Sequence, residues 1–226
     1  MNKNSTSKKK IETIYVEKFL SHFENLEIEK SFEKPDFILK QQNEIIGLEH
    51  QIIVNSKARE REGYLKNIFV LAQEELQNEN PELLPFFATC YIHENFDHSL
   101  YRKNELKEIV KNVIRECIVN ANTLENPIIY DIDWNPDDFF FIYPQLGAWW
   151  QKRISDEEIL SSIRNKEEKL PSYRENVNGQ IWLLLVINET GESSYIMRKE
   201  PISSFESKFD KIYVLEYIYN KIHQIK

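Results

Sequence analysis

Two carboxylates, Asp36 and Glu49, stand in the stretch EKPDFILKQQNEIIGLEHQII at residues 33–53. The stretch reads as two short strands, PDFILK and IIGLEHQI, joined by a polar turn. With the turn centred on Gln42 and Asn43, Asp36 lies directly across from Glu49, and the period of two puts both on one face. Opposed carboxylates in a ladder repel one another, so the pair calls for positive charge between them. A divalent cation fits: one or two carboxylates, with waters and a substrate phosphate, are how Mg²⁺ is usually held. The pairing needs a loop with an even number of residues, because a three-residue loop with a bulge would turn the acids to opposite faces. In the paired register the acids share a face with Ile38, Lys40, Ile45, Gly47 and Gln51. Phe37, Leu39, Ile46 and Leu48 form the other face. Both faces are partly apolar, which predicts a hairpin covered on both sides inside a larger sheet.

The residues Pro35-Asp36 followed by Ile46-Gly47-Leu48-Glu49-His50-Gln51 resemble the signature of the PD-(D/E)xK nuclease superfamily. The resemblance covers residues 11–53 as motif, with a looser likeness in element order beyond. It implies an α/β (α+β) fold with a central mixed β-sheet flanked by helices, a restriction-endonuclease-like core. It also implies that Asp36 and Glu49 chelate Mg²⁺ or Mn²⁺, with the His50 carbonyl and Glu12 completing the oxygen shell. In that family a lysine two residues after the glutamate orients the attacking water. Here Gln51 stands in its place, and an amide can orient water but cannot act as a base. Some members of the superfamily carry variant residues at that position and others have lost activity. Two functions therefore follow: a metal-dependent nuclease hydrolysing phosphodiester bonds, or an inactive nuclease-fold protein acting as a binding module. In the second, Lys34, Lys40 or Lys166 would satisfy the acids as a structural ion-pair network. The expected partner is nucleic acid, DNA before RNA. A homodimer would suit an enzyme that cuts both strands.

Other elements must position these groups. Residues 11–26 read as an amphipathic helix whose apolar arc, with Tyr15, Phe19 and Phe23, also contains Glu12. A glutamate among aromatics needs a partner. It either completes the metal site, as the resemblance implies, or sits in a loose first turn where acids are favoured. A helix beginning with Ser155 as cap and Glu158 closing a capping box carries Ile159, Ile163 and Leu170 on its inner face. Lys166 lies on that same face. It either snorkels outward or reaches the site and supplies the positive charge that Gln51 lacks. Lys57, Arg59 and Arg61 open the helix that follows the hairpin, capped by Ser56, either as a solvated face or as phosphate contacts.

The remaining chain reads as an edge strand at 28–32, a buried strand PFFATCYI, a helix at 104–121 and two strands around WNPDD. The run IWLLLVI then forms a central, doubly covered strand. A short helix near 202–209, a strand at 211–215 and a closing terminal helix complete the pattern. HENFDH matches no zinc spacing, and the acids around WNPDD lack the order and glycine of an EF-hand. FFFIYP and Trp149-Trp150 read as core and lid, with base stacking as the alternative.

Length and composition set the frame. At 226 residues, with 41% hydrophobic and 29% charged content, the chain is expected to be one domain over 1–226, residues 1–10 forming a loose lead-in. No run approaches the ~20 apolar residues of a membrane span, and MNKNSTSKKK lacks the apolar core of a signal peptide. Two cysteines, Cys90 and Cys117, read as core thiols, which fits a reducing cytoplasmic compartment. A net charge of −8 argues against a general nucleic-acid coating protein. It allows a nuclease whose acidic field makes binding weak and salt-sensitive without metal.

Overall fold

The hydrophobic runs at 37–52 and 181–187 build the centre of the molecule because both of their faces are covered. The structure, a computed structural model, describes residues 3–122, 124–146, 151–187, 191–197 and 205–226. The chain divides into two compact units, one of residues 1–54, 152–190 and 194–226, the other of 55–151 with 191–193.

The first unit holds a six-stranded mixed sheet in the order β1-β2-β3-β8-β10-β11. Its strands are β1 (Leu26–Ser31), β2 (Phe37–Gln41), β3 (Glu44–Ile52), β8 (Gln180–Ile187), β10 (Lys211–Glu216) and β11 (Lys221–Gln224). β1, β2 and β3 form an antiparallel meander, β3, β8 and β10 run parallel, and β11 returns antiparallel. The β2–β3 ladder closes at Gln41 opposite Glu44, with Gln42 at φ 53°, and pairs Phe37 with Leu48. That is the register expected from an even-numbered loop. Alternation then sorts the side chains. Phe37, Leu39, Ile46 and Leu48 join Trp182 and Leu184 against Tyr15, Val16 and Phe19 of α1 (Lys3–Leu20). Ile38, Ile181, Leu183 and Leu185 face Ile159 and Ile163 of α4 (Asp156–Glu167) and Leu170 and Tyr173 of α5 (Leu170–Asn176). A mixed sheet with helices on both faces is the α+β architecture expected from the sequence. Burying each such Leu or Ile contributes roughly 1.5–3 kcal/mol, enough to fix the register against slippage. A small parallel ribbon, β7 (Lys152–Arg153) with β9 (Tyr195–Ile196), belongs to the same unit.

The second unit packs α2 (Ser56–Glu79) and α3 (Lys103–Asn120) with a three-stranded sheet, β5-β4-β6. These strands are β4 (Phe86–Ile92), β5 (Ile129–Pro136) and β6 (Phe141–Gln145). Leu65, Ile68 and Phe69 of α2, Leu106, Val110 and Ile114 of α3, and Phe86, Ala88 and Cys90 of β4 share its core. Glu62, buried on α2, accepts hydrogen bonds from the Ser193 backbone N–H at 2.9 Å and hydroxyl at 2.8 Å. Lys111 lies among Glu75, Glu79 and Glu108, and the Glu79 contact at 2.8 Å leads the causes that hold its ammonium well above the ordinary range.

Several boundaries differ from the sequence reading. α1 is helical from Lys3, where a loose lead-in was expected, and it ends at Leu20, so that Leu26 opens β1. Asn55, not Ser56, caps α2: its side chain accepts from the Ala58 N–H at 3.2 Å. The expected terminal helix is the strand β11, because the turn at 217–220, with Asn220 at φ 49°, folds KIHQ back onto β10. The helix expected near 202–209 falls partly outside the described residues, and 205–209 are not helical. Trp149-Trp150 also lies outside them. No helix among the described residues is long and apolar enough to cross a membrane.

Candidate metal centre

Asp36 sits immediately before β2, outside the ladder, so its side chain is not bound to one face of the pleat. Its backbone N–H donates to Glu49 Oε2 at 3.2 Å, and its own Oδ2 accepts the His50 backbone N–H at 3.0 Å. The same oxygen lies 3.3 Å from Nδ1 of the His50 ring. Pro35 packs against Gly47, where a Cβ would meet the Pro35 ring and Ile181 at 2.8 Å each. The absence of a side chain at Gly47 thus lets the 32–36 loop settle on the sheet and sets the height of Asp36. Lys9 of α1 ties the loop from the other side, donating to the carbonyls of Phe32 at 3.1 Å and Asp36 at 2.9 Å.

Successive residues of β3 divide the site. Glu49 faces α4 and α5; His50 faces α1, with its ring 6.3 Å from that of Tyr15. On the α1 side, Glu12, Asp36 and His50 each present a ligand atom within 4.8 Å of the others. Glu12 is 8% exposed and 3.5 Å from Lys9. His50 is 7% exposed, and its Nε2 is buried with no hydrogen-bond partner among the described residues. On the α4 side, the Lys166 ammonium donates to Glu49 Oε1 at 2.5 Å, and the Tyr173 hydroxyl is buried close by. The capping box at Ser155, closed by Glu158 bonds of 2.7 Å to the N–H and 2.8 Å to the hydroxyl, fixes the start of α4. Its register then carries Lys166 inward.

The charges pull in opposite directions. Burial pushes the Asp36 carboxyl up, but hydrogen bonds from the His50 ring and backbone, with the charges of His50 and Lys166, outweigh it and hold the group below its ordinary value. Glu49 is pushed above its ordinary value by burial first and by the Asp36 charge second, against the opposing pull of Lys166 and Tyr173. The two acids are one coupled pair whose second member is the harder to ionise.

The donor set suits a divalent ion. Three ligands bound at about 2.1 Å to one ion stand at most about 3.6 Å apart when evenly spaced, so the group, whose ligand atoms lie within 4.8 Å of one another, would draw in around an ion. Two carboxylates with one imidazole match an ion of borderline softness.

The arrangement differs from the sequence reading in two respects. His50 enters through its ring, where the backbone carbonyl was expected. Glu49 stands outside the three-residue group, turned to Lys166. Gln51, half-buried, lies two residues further along β3. Lys9 and Tyr173 were not singled out; the signal for His50 was available, since period two puts it on the Leu48 face that α1 covers. Elsewhere, Asp97 of HENFDH accepts from the Ser99 N–H and hydroxyl as a turn cap, and these bonds lead the causes that hold it below its ordinary value. Arg61 pairs with Glu192 within the second unit. Among the described residues, Glu12, Asp36 and His50 are the group of three metal-capable side chains. An open cleft of about 950 Å³, lined by Lys9, Glu12, Phe32, Lys34, Asp36 and Asn176, leads to it. Comparison with protein-family models, with curated proteins and with solved structures finds no match to this chain.

Proposed function

We propose that the protein is a divalent-metal-dependent phosphodiesterase of the PD-(D/E)xK type acting on nucleic acid, DNA before RNA. The observation that carries this reading is the convergence on Asp36. Glu12 of α1 and His50 of β3 meet it on one side, while Glu49, held by Lys166 of α4, meets it on the other. Glu12, Asp36 and His50 would hold the ion, Mn²⁺ in preference to Mg²⁺ because of the imidazole. When bound, such an ion polarises a phosphoryl oxygen and makes hydroxide available near neutral pH. The chain's own residues do the rest. Lys166, on the α4 side with Glu49, adds positive charge that helps keep Asp36 ionised as a ligand. Lys34, which lines the cleft, lies where a phosphate would enter. The free thiols Cys90 and Cys117 support a cytoplasmic setting.

Cleavage of labelled single- and double-stranded DNA and of RNA with Mn²⁺ tests this. Asp36→Ala and His50→Ala should each lower the rate by at least about 100-fold, of the order that loss of one electrostatic catalytic group costs. Equal cleavage by parent and variants would refute it.

One observation favours the second reading, a binding module without catalysis. Each acid already has a cationic or imidazole neighbour: Glu12 has Lys9, Asp36 has His50 and Glu49 has Lys166. A closed network of this kind serves structure alone. Nucleic-acid binding that is unchanged by EDTA, without cleavage, would select it.

A further inference from the structure

The β5-β4-β6 sheet of the second unit buries one face and leaves the other open. Along β4, Phe86, Ala88, Cys90 and Ile92 enter the core while Phe87, Thr89 and Tyr91 alternate to the opposite side. Directly opposed residues share a face, so Phe141 and Tyr143 of β6 join Phe87 and Thr89 there, and Asp131 and Asp133 of β5 flank them on the other edge. Phe141 is 42% exposed and Tyr143 37%. The face is aromatic along β6 and acidic along β5.

Its charge is one-sided. Residues 82–101 and 121–151, which supply all three strands, contain no lysine or arginine and include Glu82, Glu94, Asp97, Glu125, Asp131, Asp133, Asp137 and Asp138. Aromatic rings on an open sheet would suit unpaired bases, but a phosphate backbone needs cations, and the segments that supply these strands carry none. The chemistry that matches rings beside carboxylates is a guanidinium, which stacks on a ring and pairs with a carboxylate through its planar fork.

The register supplies a seat for it. Thr89 pairs with Asp133 on one side and with Tyr143 on the other. With strands about 4.8 Å apart, the acid and the phenol stand roughly 10 Å apart across the small threonine. Phe87 and Phe141, stacked at 5.8 Å and 25°, wall the seat at one end. We propose that this face docks an arginine-bearing extended peptide segment of a partner protein, one guanidinium lying over Thr89 between Asp133 and Tyr143. The proposal is independent of the metal centre.

Fluorescence anisotropy with the full chain tests it. The probe is a labelled peptide of alternating arginine and serine, with the same peptide carrying glutamine for arginine and a labelled oligothymidylate as comparisons. Tyr143→Ala and Asp133→Asn are the variants, with circular dichroism and melting curves to establish that both are folded. The arginine peptide should bind the parent, the glutamine peptide should not, and each variant should bind about five- to tenfold more weakly. Tyr143→Phe should restore the affinity. Because Tyr143→Ala removes no charge, loss there separates docking from the general attraction of an acidic chain. Equal binding of the two peptides, or an unchanged affinity in Tyr143→Ala, would overturn the proposal. Oligothymidylate binding that Tyr143→Ala abolishes would also overturn it, assigning the face to single-stranded nucleic acid.

Discussion

At the scale of single residues, the Glu49–Lys166 pair carries a stability prediction with a definite sign. Glu49 titrates above its ordinary value, so its contribution to folding is fully present below that value and is lost as the pH rises through the folded one. Lys166 is what keeps the ionised form tolerable at higher pH. Lys166→Met should therefore cost of order 3 kcal/mol at pH 8, where it leaves a buried carboxylate uncompensated. The deficit should shrink toward pH 4.5 as Glu49 takes up a proton. Denaturant melts across this range, in EDTA, measure it; a deficit independent of pH would contradict the assignment. Residue types made this pair legible. An acid opposite Asp36 and a lysine on an apolar helix face were each anomalous enough in sequence to demand a partner. His50 was harder to read, because nothing local says whether a strand histidine contributes its ring or its carbonyl. Period two puts its ring on the Leu48 face, and α1 over that face brings the ring together with Glu12 and Asp36.

At the scale of elements, the height of Asp36 is set by the missing side chain at Gly47. A methyl group there meets the Pro35 ring and the end of Ile181, and Pro35 is bonded to Asp36. Gly47→Ala should destabilise the protein by about 1–3 kcal/mol, as overpacking does. It should also weaken Mn²⁺ binding in calorimetry by more than an equally destabilising substitution in the β10 core, such as Val214→Ala. Equal affinities in the two variants would mean that the 32–36 loop does not set the metal site. The hairpin itself was readable because apolar alternation and a polar two-residue turn fix one register. The C-terminal segment misled because KIHQIK carries neither glycine nor proline to mark a turn. Its turn is made by Asn220 in the left-handed region, and pairing with β10 then overrides local helix propensity.

At the scale of the whole molecule, the net charge of −8 opposes any polyanion, and attraction must come from local groups and a bound ion. Binding of single- or double-stranded DNA in gel-shift assays should accordingly be detectable with Mn²⁺ and lost in EDTA. It should also fall steeply between about 50 and 200 mM salt. Binding of equal strength in EDTA would favour the metal-independent module. The α+β class was legible at this scale from the order of helical and strand patterns. The division into two units was not, since residues 55–151 have the same mixture of amphipathic helices and short strands as the chain on either side. No composition shift marks the point where the chain leaves β3 and later returns at β7.

Whether Glu12, Asp36 and His50 hold a divalent ion is read from calorimetric titration of Mn²⁺ into the metal-free protein. The parent should bind one ion per chain, and Asp36→Ala and His50→Ala, each verified as folded, should lose that binding. No heat of binding in the parent at millimolar Mn²⁺, or full binding in either variant, would contradict it.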